Sequence, residues 1–235
     1  MKEWLNQPEE TRPHFITFYL SEADHAGHRF GPDAPETAVA VKEVDSVMQA
    51  LTAVVAETKL PVNFIFVSDH GMTAVDRENP IKMPAEIDTA KFVIPSSGTM
   101  MVLHAKNKAD IQPTYEALKK NENHFNVYLK ENMPADYHYS AADDKANRIG
   151  DILLVPEWPY VFSQRKPGIG HHGFPPAAVK EMGATFIAWG PAFKQGLTIP
   201  AFENVHIYPL VAQILGLSYT DKIDGKKEVL TNILK

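Results

Sequence analysis

Two short apolar runs separated by one long amphipathic segment constrain this chain more than any other feature. His14–Leu20 (HFITFYL) is aromatic, β-favouring and free of formal charge, the composition of a buried strand. Ala34–Thr58 then carries Val41, Val44, Val47, Met48, Leu51, Val54 and Val55 at helical spacing, the signature of a long amphipathic helix. Pro61 opens a second apolar run, VNFIFV, which ends at Ser68-Asp69-His70-Gly71. Strand, long helix, strand is a βαβ unit, and it predicts a parallel sheet with helices on its faces. Ligands of such sheets gather beyond the carboxyl ends of the strands.

The remaining segments extend this reading. Lys91–Ala105 reads as strand material, and Ile111–Lys120 as a helix opened by Asp110. Asn126–Leu129 and Ile149–Val155 read as further strands. Together they predict an α+β insert or cap over residues 91–165, set on an α/β core formed by 1–90 and 166–235. Ala184–Trp189 returns to a core strand, and His206–Leu215 to a helix stopped at Gly216.

Composition narrows the chemistry. None of the 235 residues is cysteine, which excludes disulfides, Cys-ligated zinc, iron–sulfur clusters and thiol nucleophiles. Lys and Arg number 23 against 29 Asp and Glu, a net charge of −6, so no nucleic-acid-binding surface is expected. No apolar run nears the roughly 18 residues of a membrane helix, and Met1–Asn6 lacks a signal-peptide apolar region. Ten histidines are many for this length.

Those histidines concentrate at strand ends. Ser21–His28 (SEADHAGH) follows the first strand, Ser68–Met72 (SDHGM) the second, and Gly170–Phe174 (GHHGF) precedes the third core strand. Carboxylate and imidazole are the ligands zinc accepts where no thiolate is present. Asp24 and His28, four residues apart, converge on one ion if their segment is helical. Asp69 and His70 leave a strand together, and the glycines beside each motif permit close turns. His25 and His171 are candidate supporting groups, whereas His14, His104, His124, His138 and His206 read as structural or solvent-facing. Trp158, Tyr160 and Phe162 read as core packing where the insert rejoins the core.

With these residues in place, the chain resembles the C-terminal half of the catalytic domain of the type I phosphodiesterase/nucleotide pyrophosphatase family, in the alkaline phosphatase superfamily. The E-x-D-x-x-G-H pattern stands at Glu22–His28, S-D-H-G-M at Ser68–Met72, and H-G-aromatic at His172–Phe174. The resemblance implies a three-layer α/β/α alkaline-phosphatase-like core, incomplete at its N-terminus, with a small α+β insert. It implies that Asp24, His28 and His172 hold one zinc, that Asp69 and His70 supply two ligands of a second, and that Phe174 meets substrate. The expected activity is hydrolysis of phosphodiester or pyrophosphate bonds in a small nucleotide-type substrate. A sibling phosphomonoesterase or phosphonate hydrolase is the alternative.

The resemblance also implies what is missing. In this family an N-terminal Asp completes the second zinc site, and an N-terminal Thr is the nucleophile. Neither has a counterpart here, and Thr17, Ser68 and Thr73 are poor substitutes. The expectation is therefore a metal-binding fragment, silent by itself, with an unpaired apolar sheet edge that favours self-association. A parent of this type would be periplasmic or extracellular.

Overall fold

The computed structural model describes residues 1–95 and 98–235. Helices α1 (Lys2–Leu5), α2 (Glu22–Phe30), α3 (Pro35–Thr58), α4 (Ile111–Lys120) and α5 (Ile207–Ile214) are joined by short 3-10 turns and eight strands. The strands are β1 (Phe64–Val67), β2 (Thr73–Ala74), β3 (Phe92–Val93), β4 (Met101–Ala105), β5 (Phe125–Leu129), β6 (Ile152–Pro156), β7 (Gly170–His171) and β8 (Phe186–Trp189). Two compact units result. The first holds Met1–Leu20, Val41–Asp69 and Ala184–Lys235; the second holds Ser21–Ala40 and His70–Gly183. No described helix is long and apolar enough to cross a membrane.

In the first unit β1 and β8 form a two-stranded antiparallel ladder, from Phe64 opposite Trp189 to Val67 opposite Phe186. Ile65, Phe186 and Ala188 share one face, by the two-residue period of a strand. They pack on a cluster built around Phe193, Leu210, Leu230 and Ile233. On the other face the rings of Phe64 and Trp189 stack at 4.8 Å, while Ile187 stays exposed. The expected parallel pairing is not found among the described residues. The run 14–20 joins no ladder, and β8 runs antiparallel to β1. Local propensity extends a backbone but chooses neither its partner nor its direction. Here the whole of 70–183 intervenes before β8, so the chain can return in either sense.

The second unit contains the strands expected of the insert, in the order β3-β4-β6-β5, every neighbour antiparallel. The expected strand at Lys91–Ala105 is two strands, β3 and β4; its residues 96 and 97 lie outside the described residues. β6 reads ILLVP, and all five residues are buried, as befits a central strand covered on both faces. Met101, Leu103, Leu118, Val127, Ile152, Leu154 and Phe162 form one core, each side chain contributing roughly 1.5–3 kcal/mol by burial. Beside it, the Lys130 ammonium reaches the Asp144 carboxylate at 3.1 Å. That carboxylate also accepts the amides of Arg148 and Ile149.

Candidate metal centre

The site lies within the second unit and is assembled from three local structures. The first is α2. Glu22 and Asp24 occupy its first turn, and His28 and Arg29 its last, a charge order that suits the helix dipole. Gly31 stops it at φ +103°, a conformation that disfavours side chains. The helical turn places Asp24 and His28 on one side, with Asp24 Oδ1 3.5 Å from His28 Nε2.

The second local structure is the ribbon of β2 and β7, which pairs Thr73 with His171 and Ala74 with Gly170. α2 lies directly against β7. A methyl group on Gly170 would sit 2.2 Å from the Gly27 carbonyl oxygen, so only glycine allows the approach. The contact has a second use, because His28 Nδ1–H donates to the Gly170 carbonyl at 2.7 Å. A carbonyl only accepts, so this bond leaves the His28 Nε2 lone pair facing inward.

The third local structure is the turn after β1. Gly71 N–H donates to the Met182 carbonyl, and a methyl group on Gly71 would fall 1.8 Å from the Glu181 carbonyl oxygen. His70 Nδ1–H donates to the Gly71 carbonyl at 2.9 Å, which again makes Nε2 the nitrogen that carries the lone pair. The His70 ring stacks on His172 at 3.5 Å between centroids.

Four side chains therefore converge. His172 Nε2 is 3.2 Å from His28 Nε2 and 3.8 Å from Asp24 Oδ1. Ligand atoms of Asp24, His70 and His172 lie within 4.8 Å of one another. Asp24 Oδ1 is buried and has no hydrogen-bond partner, a costly state for a carboxylate oxygen unless a cation satisfies it. Zinc holds N and O at about 2.0–2.1 Å, so two ligands of a tetrahedral ion stand about 3.3 Å apart. The separations of 3.2, 3.5 and 3.8 Å fit that requirement. The residues present suit a metal ion of this kind.

The other expected residues fall as follows. Asp69 is exposed and ends the first unit, where its carbonyl accepts from Asn204 Nδ2 at 3.0 Å. Phe174, expected to meet substrate, is 4% exposed and packs with Val161, Val179 and Met182. His25 is exposed on α2. His171 stands edge-on to His28 at 6.0 Å, its Nε2 buried and unpartnered. Burial, with smaller contributions from His28 and His172, pushes its imidazole below the ordinary histidine range. Ser68 Oγ accepts the Thr185 amide, and Thr73 Oγ1 accepts from Trp158 Nε1. Phe162 is core, Trp158 is half-exposed, and Tyr160 stacks on His124. Sequence reasoning missed the Gly27–Gly170 approach and the Gly170 carbonyl. The glycines beside the ligands were the available signal.

The fold defines a class, the alkaline-phosphatase-like α/β proteins. Human ectonucleotide pyrophosphatase/phosphodiesterase 5 superposes with a TM-score of 0.84 at 25% identity, covering 99% of this chain and 61% of that one. The murine counterpart, solved as an inactive threonine-to-alanine variant in complex with AMP, matches at 0.84 and 27%, covering 100% of this chain and 62% of that one. The family profile of type I phosphodiesterase/nucleotide pyrophosphatase matches residues 1–175. Ectonucleotide pyrophosphatase/phosphodiesterase family member 1 of Mus musculus is 34% identical over 99% of this chain and 27% of its own length. The bovine (Bos taurus) bis(5'-adenosyl)-triphosphatase ENPP4 is 33% identical over 86% of this chain and 44% of its own length. The chain belongs to the type I phosphodiesterase/nucleotide pyrophosphatase family, and spans between a quarter and about half of these curated relatives.

Proposed function

We propose that this chain is the zinc-binding part of a nucleotide phosphodiesterase or pyrophosphatase. One observation carries the reading: Asp24, His28 and His172 converge at 3.2–3.8 Å around a buried carboxylate oxygen that has no hydrogen-bond partner. These three residues would hold one zinc, and Asp69 with His70 would supply ligands to a second. Such ions supply positive charge to the oxygens of a phosphoryl group during in-line displacement.

The chain's own groups do the positioning. The Gly170 carbonyl fixes the His28 tautomer, and the Gly71 carbonyl fixes that of His70. α2 carries Asp24, and the chain leaving β7, which packs against α2, carries His172. A small nucleotide substrate is supported by the murine relative that binds AMP.

The chain by itself turns over no phosphodiester. Its candidate hydroxyls are committed elsewhere: Ser68 to the Thr185 amide, Thr73 to the Trp158 indole. Thr17 stands in an exposed run of the first unit. The nucleophile of the family reaction then comes from polypeptide outside these residues, in line with the inactive threonine-to-alanine variant of the relative.

Zinc calorimetry on the 235-residue chain tests the metal site. Binding that is lost in Asp24→Ala and in His172→Ala supports it; equal binding by parent and variants overturns it. A chromogenic phosphodiester, assayed with zinc present, tests the silence. Turnover abolished by His172→Ala would place the nucleophile within this chain.

A further inference from the structure

Met72 stands where the three ligand-bearing segments meet. Its backbone is fixed on both sides: the Gly71 amide donates to the Met182 carbonyl, and Thr73 pairs with His171 in the β2–β7 ribbon. Its side chain enters the seam between α2 and β7. A methyl group on Gly27 would meet Met72 Cγ and Cε at 3.2 Å, and one on Gly170 would meet its Sδ at 3.0 Å. One side chain therefore takes up the room that both glycines leave. Methionine suits so narrow a gap, because its unbranched chain and polarisable thioether adapt to irregular space.

Each segment that meets Met72 carries a candidate ligand. Asp24 and His28 lie on α2, His172 follows β7, and His70 precedes Met72 by two residues. The bond from His28 Nδ1–H to the Gly170 carbonyl, 2.7 Å long, crosses the same seam. Its length depends on how far apart α2 and β7 are held, and Met72 is the side chain between their two glycines. We propose, on the metal-site reading above, that Met72 is a positioning residue for the metal centre. It spaces α2 from β7, and so keeps His28 in the tautomer that turns Nε2 toward Asp24 and His172. A shorter side chain leaves the seam underfilled, and a close-packed interior closes such a gap only in part. The Gly170 carbonyl then no longer holds the His28 ring in one orientation, and the ligands lose their common focus.

Zinc calorimetry and imidazole nitrogen NMR on the 235-residue chain provide the test. Met72→Ala should weaken zinc binding by about tenfold or more, the scale of losing a group that orients a ligand. In the zinc-free variant the His28 ring should pass from one tautomer, Nδ1–H, to a mixture of two. Met72→Val removes less and should show both effects to a smaller degree, which keeps the test open where Met72→Ala does not fold. Met72→Leu conserves the volume and should bind zinc within about threefold of the parent. Val127→Ala truncates a buried residue of another cluster in the same unit. It should lower the urea midpoint and leave zinc affinity and the His28 tautomer unchanged. Parent-like zinc affinity with Nδ1–H retained in Met72→Ala, or in Met72→Val where the former is unfolded, overturns the proposal. An equal loss of zinc in Val127→Ala also overturns it, because affinity then follows general stability. A parent chain that binds no zinc overturns the metal-site reading instead, and the His28 tautomer in the zinc-free variants still decides whether Met72 holds the seam.

Discussion

Two sheets of this molecule, both built from largely apolar strands, ended differently. The β3-β4-β6-β5 sheet encloses its central strand, with Ile152, Leu153 and Leu154 fully buried. The β1-β8 sheet has only two strands, covers one face, and leaves Ile187 53% exposed. The difference lies in the supply of partners. β4, β5 and β6 sit within some fifty-odd residues of sequence and find one another through short connections, at a low loop-closure cost. β1 waits for β8 across residues 70–183, and the run 14–20 joins no ladder among the described residues. A strand-favouring sequence becomes a sheet only where the fold delivers a neighbour.

Truncating one aliphatic side chain in each sheet breaks the comparison most sharply. Leu103 is fully buried in the core of the four-stranded sheet, so Leu103→Ala should cost about 2–5 kcal/mol in lost transfer and cavity formation. Ile187→Ala removes a half-exposed side chain and should stay within about 0.5 kcal/mol. Urea unfolding of the two variants measures both; equal losses would mean that Ile187 is covered in solution.

Metal binding sharpens the contrast next. At a hundred times its dissociation constant, zinc should stabilise the native second unit by about 2.7 kcal/mol. Hydrogen exchange should then slow in α2 and β7 and stay unchanged in β1 and β8. Gly170→Ala drives a methyl group to within 2.2 Å of the Gly27 carbonyl. That overpacking should cost about 1–3 kcal/mol and should abolish the zinc-dependent protection, because it separates His28 from its anchoring carbonyl. Full zinc protection in Gly170→Ala would show that the α2–β7 approach does not position the ligands.

The same contrast divides what the sequence made legible. Asp24 and His28 were readable together, because four residues make one helical turn and α2 keeps that relation. The buried strand β6 was readable, because a continuous apolar run survives any choice of partner. His172 was joined to Asp24 only through resemblance, which set His70 apart with Asp69, since no local rule brings residue 172 or residue 70 to residue 24. The packing of Phe174 was not legible for a related reason. Its neighbours Val75, Val161, Val179 and Met182 come from scattered segments, and adjacency to a ligand says nothing about which way the next side chain turns. The run 14–20 was read as buried because composition signals the preference to pair and is blind to whether a partner arrives.

A smaller effect, in alkali, separates the closed region from the open one. Tyr137 packs against the cluster of Met133, Leu153 and Val155 in the second unit. Burial, with smaller contributions from Tyr128 and Asp136, pushes its hydroxyl from 10 up to about 12. The folded pKa is raised, so the stabilisation is complete below pH 10. It is lost as pH rises from 10 to 12, where the unfolded chain releases this proton and the native one keeps it. Tyr137→Phe carries no ionisable hydroxyl. Its stability should therefore parallel that of the parent below pH 10 and fall less steeply between 10 and 12. Denaturant midpoints taken across that window measure the difference in slope. Parallel curves throughout would mean that the hydroxyl titrates as freely in the folded second unit as in the unfolded chain, and that this unit is more open around Tyr137 than its packing implies.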